Sequence, residues 1–160
     1  MLRATTVVRR FAVRGETVVD TLTLGHDQRH RRRMSMIADG GLSFLLDLDR
    51  ATMLEDGDAV RLQDGRLVQV MAASERVVEI RAGSPLQLKK IVWHLGNRHV
   101  PAEITDDAVY IGEDHVLIDM VRRLGATTIL VERPFRPESG AYEGASAPDH
   151  AHHHDRGGHD

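Results

Sequence analysis

The chain has 160 residues, 41% of them hydrophobic and 28% charged, a composition typical of soluble globular proteins with one ordinary domain or two small ones. A formal net charge of −3 gives no reason to expect tight binding to nucleic acid or to anionic membranes. The chain contains no cysteine, so disulfides and thiolate metal sites are excluded and any metal site must use nitrogen and oxygen ligands.

The first 74 residues are predicted to form an all-β domain, a small sandwich or barrel. Hydrophobic and polar residues largely alternate over 43–49 with the two-residue period of a half-buried strand. Asp64 and Gly65 separate two more β-prone runs and are a strong hairpin signal, because both turn positions take a positive φ. The other β-prone runs are 5–8, 18–24, 33–36, 60–62 and 67–70.

From about residue 75 helical patterns alternate with strands. A strand is predicted over 76–81, and a helix begins after it with Ser84 as N-cap and Pro85 at the first helical position. Gly96 and Asn97 are expected to end this helix, because both residues tolerate left-handed backbone. Its apolar residues have the spacing of one helix face: Leu88, Ile91, Val92 and Leu95.

A second helix is predicted between Asp114, as its N-cap, and Gly125. Short strands are predicted before it, over 102–104 and 108–111, and after it, over 127–131. The resulting order of strand, helix, strand, strand, helix, strand is that of the ferredoxin-like βαββαβ unit. We therefore predict an α+β ferredoxin-like domain over residues 75–142.

The last eighteen residues, 143–160, are mostly small or polar and have no apolar periodicity, so they are predicted to form a disordered, flexible arm. Imidazole is the commonest protein ligand for divalent nickel, copper and zinc. Interspersed Asp, Ala and Gly favour metal binding over a plain solvated tail or the remnant of an affinity tag, but do not identify the metal. Half of the ten histidines lie in this arm: His150, His152, His153, His154 and His159.

Two further histidines, His94 and His99, flank the predicted end of the first helix. A spacing of five residues puts them about 140° apart on a helix, and no glutamate lies between them, which excludes the zinc-protease motif. His94 lies at the edge of the apolar face and is interpreted as a packed structural residue. Trp93 lies opposite that face, which indicates that either the first domain or a second subunit covers it.

The sequence gives no sign of catalysis, since it has no nucleophile–base pair, phosphate loop or closed three-ligand metal site. The basic run 29–33 could touch nucleic acid, but neighbouring acidic residues offset it and a solvated edge strand is the preferred interpretation. Apolar runs fall far short of the roughly 20 residues that span a bilayer, and the N-terminus lacks signal-peptide features. We expect a cytoplasmic protein that binds neither membranes nor nucleic acid and is not an enzyme.

Three segments of the second half resemble one known family. They are WHLGNRHVP at 93–101, DHVL at 114–117 with Met120 and Leu124-Gly125 after it, and PFRPESGAY at 134–142, which is followed by the histidine-rich end. In combination these segments are similar to the UreE family of urease accessory proteins. The resemblance extends from about residue 77 to the C-terminus and is weaker, though compatible, in the β-rich half.

The resemblance implies a nickel-binding metallochaperone that delivers Ni²⁺ to apo-urease during assembly of its metallocentre. The alternative is storage or buffering of nickel or zinc by the histidine-rich arm. The implied partners are a second copy, joined through the C-terminal domain as a homodimer, the urease accessory GTPase and the apo-urease assembly complex. The first domain is then expected to contact peptides or partners.

The resemblance also assigns metal ligands. The essential ligand of the family falls on His99, and one His99 from each subunit would meet across the two-fold axis of the dimer. His115 matches one of two histidines at a peripheral site, whose other position is Glu113 here. The preference for nickel comes from the resemblance alone, because ligand chemistry by itself favours Cu²⁺, and Zn²⁺ or Cu²⁺ are expected to bind in vitro.

Overall fold

The computed structural model describes residues 1–138, which form two β-sheets that follow one another along the chain. The first sheet contains β1 (Arg3–Val8), β2 (Val18–Leu24), β3 (His30–Ile37), β4 (Ser43–Met53), β5 (Ala59–Leu62) and β6 (Leu67–Ala72). The second half contains β7 (Ser74–Arg81), α1 (Pro85–Asn97), β8 (Ala102–Ile104), β9 (Val109–Gly112), α2 (His115–Arg123) and β10 (Thr127–Pro134).

The first sheet is mixed and has the strand order β2-β6-β5-β1-β4-β3. β1 runs parallel to β4 and β2 runs parallel to β6, while the other neighbours are antiparallel. The predicted hairpin is confirmed, since Gly65 has a φ of 89° between the antiparallel β5 and β6, although Asp64 does not take the positive φ expected of it. All six strands belong to one sheet with β2 and β3 at its edges, and therefore not to the two stacked sheets of a sandwich.

Asp58 holds the start of β5 to the loop after β1. This buried carboxylate accepts hydrogen bonds from Arg9 Nη1 at 2.7 Å, from the Arg10 backbone N–H at 2.9 Å and from the Glu55 backbone N–H at 2.9 Å. A buried carboxylate is tolerated only when its oxygens are paired in this way. Asp58 thus fixes a loop that carries no strand hydrogen bonds of its own.

Replacing Asp58 with alanine is expected to lower the free energy of unfolding by about 3 kcal/mol, because two backbone N–H groups and Arg9 lose the buried carboxylate that pairs them. Urea denaturation followed by circular dichroism measures this loss. Asp64→Ala, which removes an exposed turn carboxylate, is the matched control and should cost much less. Equal losses for the two variants would contradict the role given to Asp58.

The second sheet is fully antiparallel and has the order β10-β7-β9-β8. Both helices pack on one of its faces, where alternate residues of β7 and β9 meet the apolar residues of α1 and α2. The core of this half consists of Val78, Ile80, Leu88, Ile91, Leu95, Val109, Ile111, Val121 and Ala126. The observed order of strands and helices is the one predicted from the sequence.

The ends of the two helices confirm most of the prediction. Ser84 caps α1, since its side chain accepts a hydrogen bond from the Gln87 backbone N–H, and Asp114 caps α2 in the same way. α1 ends at Asn97, as expected, but neither Gly96 nor Asn97 takes the left-handed backbone that was expected to end it. The left-handed residue is His99, whose φ is 56°.

β10 is longer than predicted, because it runs to Pro134 instead of residue 131. The next four residues, Phe135–Glu138, form a segment that we call the strap. It lies against the face of the second sheet that the helices leave uncovered, where Phe135 packs with Val77 and Tyr110. Nothing in the periodicity of the sequence predicted this segment.

The strap also connects the two halves of the molecule through Arg29. This arginine is 2% exposed, and its Nη2 donates to the Phe135 carbonyl at 2.6 Å while Nη1 donates to the Leu24 carbonyl at 3.3 Å. Burial lowers the pKa of Arg29 from its ordinary value, against the field of nearby Glu75. The interpretation of 29–33 as a solvated edge strand therefore fails for Arg29, although β3 is an edge strand.

Among residues 1–138, no helix is both long enough and apolar enough to cross a membrane. The longer of the two α-helices, α1, has 13 residues. A helix of that length spans only about 20 Å, well below the thickness of a bilayer core.

Candidate metal site

His99 lies in the turn between α1 and β8, and its side chain is exposed. Its backbone N–H donates to the Gly96 carbonyl at 3.1 Å, while its φ of 56° turns the chain away from the helix axis. It is the one non-glycine residue with a positive φ in the described part of the chain. Backbone of this kind is costly for a side chain with a Cβ and is found disproportionately at functional sites.

The imidazole of His99 lines a cleft of about 510 Å³ between the two halves of the molecule. A second histidine, His26 of the first half, lines the same cleft. The His26 backbone N–H donates to Glu75 Oε2 at 2.9 Å, and its ring meets the Phe135 ring edge-on with the centroids 5.3 Å apart. Both histidines therefore line one cleft, and each is anchored by its backbone N–H.

The lining of this cleft carries more negative than positive charge. One arginine is present, Arg76, and its Nε pairs with Glu113 at 3.2 Å. The carboxylates in the lining are Asp27, Glu75, Glu113 and Asp114. A concave surface with excess carboxylates raises the local concentration of divalent cations, so the cleft has the electrostatics expected of a cation entrance.

Within residues 1–138 no three histidine, aspartate or glutamate side chains lie close enough together to hold a metal ion. A single imidazole does not retain a divalent ion, since nickel and zinc sites need several ligands. His99 can therefore act as a ligand only if further donors come from a second copy of the chain or from residues beyond 138.

The exposed side of α1 carries a large apolar residue next to this site. Trp93 is 64% exposed, and Leu86, seven residues before it, is also exposed. His94 is half-buried and packs edge-on against the Trp93 ring with the centroids 5.1 Å apart, which supports its interpretation as a packed residue. The alternative that the first domain covers Trp93 is wrong, so a second subunit remains the candidate.

His115 is the first residue of α2 and is exposed, as the sequence indicated. It lines a separate cleft of about 380 Å³, between α2 and β10, that includes Glu113. Because Glu113 also lines the cleft of His99, the two histidines occupy neighbouring openings that share one carboxylate. The other predicted ligands, which lie outside the described residues, are His150, His152, His153, His154 and His159.

Sequence reasoning missed His26 and the acidic lining of the cleft. His26 lies in a short turn between β2 and β3, and nothing in its local sequence distinguishes it from a surface residue. Asp27 belongs to the first half, whereas Glu75 and the neighbouring Glu113 and Asp114 belong to the second, so only the packing of the two halves brings all four carboxylates together. No sequence signal available in a single chain could have grouped them.

The chain matches known family models over nearly its whole length. A model described as the N-terminal domain of the UreE urease accessory protein matches residues 7–73, and one described as its C-terminal domain matches residues 75–160. The chain belongs to the UreE family. The resemblance noted in the second half therefore extends to the β-rich half as well.

Individual UreE proteins are similar to this chain along most of their own length. The urease accessory protein UreE of Azorhizobium caulinodans is 59% identical over 157 residues, which are 97% of this chain and 76% of that relative. UreE of Rhodopseudomonas palustris strain BisB18 is 49% identical, with 95% of this chain and 72% of the relative covered. UreE of Chelativorans sp. strain BNC1 is 44% identical, with coverages of 96% and 94%.

Proposed function

We propose that this chain is a nickel metallochaperone, not an enzyme, which binds Ni²⁺ and delivers it to apo-urease during assembly of the urease metallocentre. Membership of the UreE family of urease accessory proteins supports a role in the assembly of urease. The observation that carries the site is His99, an exposed imidazole on left-handed backbone at the mouth of an acidic cleft. Nickel is the cargo of this protein, and not a cofactor that it retains.

The site is proposed to form between two subunits of a homodimer joined through the C-terminal domain. A two-fold axis doubles whatever lies near it, so two His99 imidazoles can face one ion where the monomer has one. Trp93 and Leu86 on the exposed side of α1 supply an apolar surface of the kind that subunit interfaces bury. The urease accessory GTPase and the apo-urease assembly complex are the proposed partners that receive the ion.

The second domain, proposed to extend over 75–142, is proposed to be ferredoxin-like. Its observed element order and its sheet order, which places the last strand beside the first and the second at the far edge, support that description. The first domain is proposed to cover 1–74 and to contact partners, and 143–160 to be a histidine-rich arm. The change from one sheet to the other at Ala73 supports the boundary between the two domains.

A delivery protein must release its metal, and few fixed ligands favour release. Structural zinc sites bind with apparent energies of about 10–16 kcal/mol, whereas micromolar binding corresponds to about 8 kcal/mol. Two imidazoles with open coordination positions would lie nearer the weaker figure. Open positions also let the ligands of an acceptor join before those of the donor leave.

The histidines of the arm are proposed to capture ions and to complete the coordination at His99. His115, beside Glu113 in the neighbouring cleft, is proposed as a peripheral ligand. Zn²⁺ and Cu²⁺ are expected to occupy the same donors in vitro, since imidazole binds both.

Storage or buffering of nickel or zinc by the arm is the second candidate function, because half of the histidines of the chain lie between 150 and 159. Urease activity, measured in cells that carry the urease genes and grow on limiting nickel, distinguishes delivery from storage. We expect His99→Ala to abolish most activation, and serine replacements of the five arm histidines to reduce it only partly. The opposite order of effects would support storage and contradict delivery through His99.

A further inference from the structure

Four strands lie at the edges of the two sheets, and three of these edges are protected. β2 is covered by Asp39, whose backbone N–H donates to the Thr21 carbonyl at 2.8 Å. β3 carries a run of arginines at 31–33. β8 has only three residues, and its Ala102 carbonyl accepts the backbone N–H of Glu138. Covering segments, charged side chains and short strands are the devices that keep a sheet edge from pairing with another chain.

The fourth edge strand, β10, has none of these devices within residues 1–138. It has eight residues, and the first five, 127–131, are uncharged and mostly β-branched. All eight pair with β7 on one side, and no strand of the described chain pairs with β10 on the other. Ile129 and Leu130 are 57% and 44% exposed. A long, uncharged edge of this kind can accept a further strand.

The cleft of about 380 Å³ between α2 and β10 adjoins this edge, and we call it the edge groove. Thr128 and Leu130 pair with Ile80 and Val78, which pack against the helices, so both residues face α2. Ile129 faces the other way and yet also lines the cleft, so the opening lies at the sheet edge itself. A strand added to β10 would therefore place every second side chain in the edge groove.

One end of the edge groove carries a cation that has no carboxylate partner. Arg122 of α2 lines this end, and its Nε donates to Thr128 Oγ1 at 2.9 Å. Its two terminal amino groups stay available, since no carboxylate within residues 1–138 pairs with them. At the other end, Glu113 is already paired with Arg76 at 3.2 Å. The groove thus favours an anionic group beside Thr128 and an apolar group beside Leu130.

We propose that β10 accepts an extended segment of a partner protein, which pairs as an added strand and sets an acidic side chain beside Arg122. The rest of this sheet is antiparallel, and in that pairing the residue opposite Leu130 comes two positions before the residue opposite Thr128. The segment therefore reads apolar, then any residue, then acidic. Main-chain hydrogen bonds supply affinity, and the two side chains in the groove supply specificity.

This surface is separate from the proposed subunit contact, and its use does not depend on nickel binding. α2 lies beside β10, whereas α1 lies beside β8 at the opposite edge of the sheet. A dimer joined through Trp93 on α1 therefore leaves the edge groove open to a partner.

Two synthetic heptapeptides with blocked ends test this on the full-length protein. The first has valine at its fourth position, aspartate at its sixth and threonine elsewhere, and the second has lysine in place of the aspartate. Amide shifts in NMR spectra, followed during titration, give both the affinity and the place of binding. We expect the aspartate peptide to bind about fivefold more tightly than the lysine peptide, with shifts concentrated in β10 and α2.

Arg122→Glu should reverse this order, so that the lysine peptide binds more tightly. Arg123→Glu is the matched control and should keep the original order, since Arg123 is the next, exposed residue of α2 and does not line the edge groove. Leu130→Asn should weaken binding of both peptides at least about fivefold by removing an apolar contact. Ile104→Asn, on the edge strand β8 and with the same exposure of 44%, should leave both affinities unchanged.

The reversal compares two peptides on one protein, so a loss of stability in the variant does not produce it. An order of affinities that Arg122→Glu fails to reverse would overturn the proposal, as would amide shifts that miss β10. If a second copy of the chain occupies the edge instead, neither peptide would bind and the mass in sedimentation would fall in Leu130→Asn. That result would overturn the proposal too.

Discussion

His99→Gly is expected to weaken nickel binding at least about 100-fold while leaving the fold as stable as the parent within about 1 kcal/mol. Glycine adopts a φ of 56° at no steric cost, so the substitution relieves strain where it removes the ligand. Loss of a partner that only orients a ligand already costs 10–100-fold in metal affinity, and here a direct ligand disappears from both subunits. Isothermal titration measures the binding in the serine-arm protein, in which the five arm histidines are replaced by serine.

Nickel binding and stability are expected to respond differently in the His99→Gly variant. Damage to the turn would lower both nickel affinity and stability, whereas loss of a ligand should lower nickel affinity and leave thermal unfolding unchanged. His30→Ala is the matched control, because His30 is an exposed histidine on β3, in the other half of the molecule. If His99→Gly bound nickel like the parent, the proposed transfer site would be wrong.

Trp93→Ala is expected to convert the proposed dimer to monomer at micromolar concentrations and to weaken nickel binding with it. A buried tryptophan at the centre of an interface commonly contributes about 2 kcal/mol or more on truncation to alanine. A two-fold interface loses two such residues, and about 4 kcal/mol corresponds to a dissociation constant roughly 10³-fold higher. Sedimentation equilibrium over a range of concentrations measures the change.

Phe11→Ala is the control for Trp93→Ala. Phe11 is 90% exposed in the loop after β1, and its ring lies under Arg10 in the first domain, away from α1. It should leave the proposed dimer unchanged although it removes an aromatic ring that is more exposed than that of Trp93. A Trp93→Ala protein with the parental dissociation constant would place the subunit interface somewhere other than the exposed side of α1.

Local signals in the sequence predicted the elements that depend on local physics. Ser84 with Pro85 and Asp114 predicted both helix starts, because capping and the fixed φ of proline act within one turn. Gly65 predicted its hairpin because the positive φ of a tight turn is also a local property. The alternation of apolar residues assigned the strands, although several of their ends differ by a few residues.

Features that depend on packing between the two halves could not be predicted. Arg29 stands in a basic run typical of solvent, and only the approach of Phe135 gives its guanidinium a buried acceptor. Gly96 and Asn97, which suit left-handed backbone, remain helical, and the positive φ falls on His99, where contacts of the folded chain must offset its cost. The acidic cleft and the strap are likewise properties of the assembled molecule.

The family resemblance and the structure contributed different residues to the candidate site. The resemblance of WHLGNRHVP to the family motif singled out His99, and the periodicity of α1 by itself would have left it an ordinary surface histidine. The structure added His26 and the carboxylates of Asp27 and Glu75, and it showed that Trp93 of the motif is exposed. The arm histidines stay a prediction from composition.

Native mass spectrometry of the serine-arm protein, loaded with nickel and then freed of excess metal, tests the shared site most directly. A dimer that retains one nickel ion is expected, and the His99→Gly variant should give a dimer that retains no nickel. One nickel ion on each monomer, or a dimer that keeps its ion without His99, would contradict it.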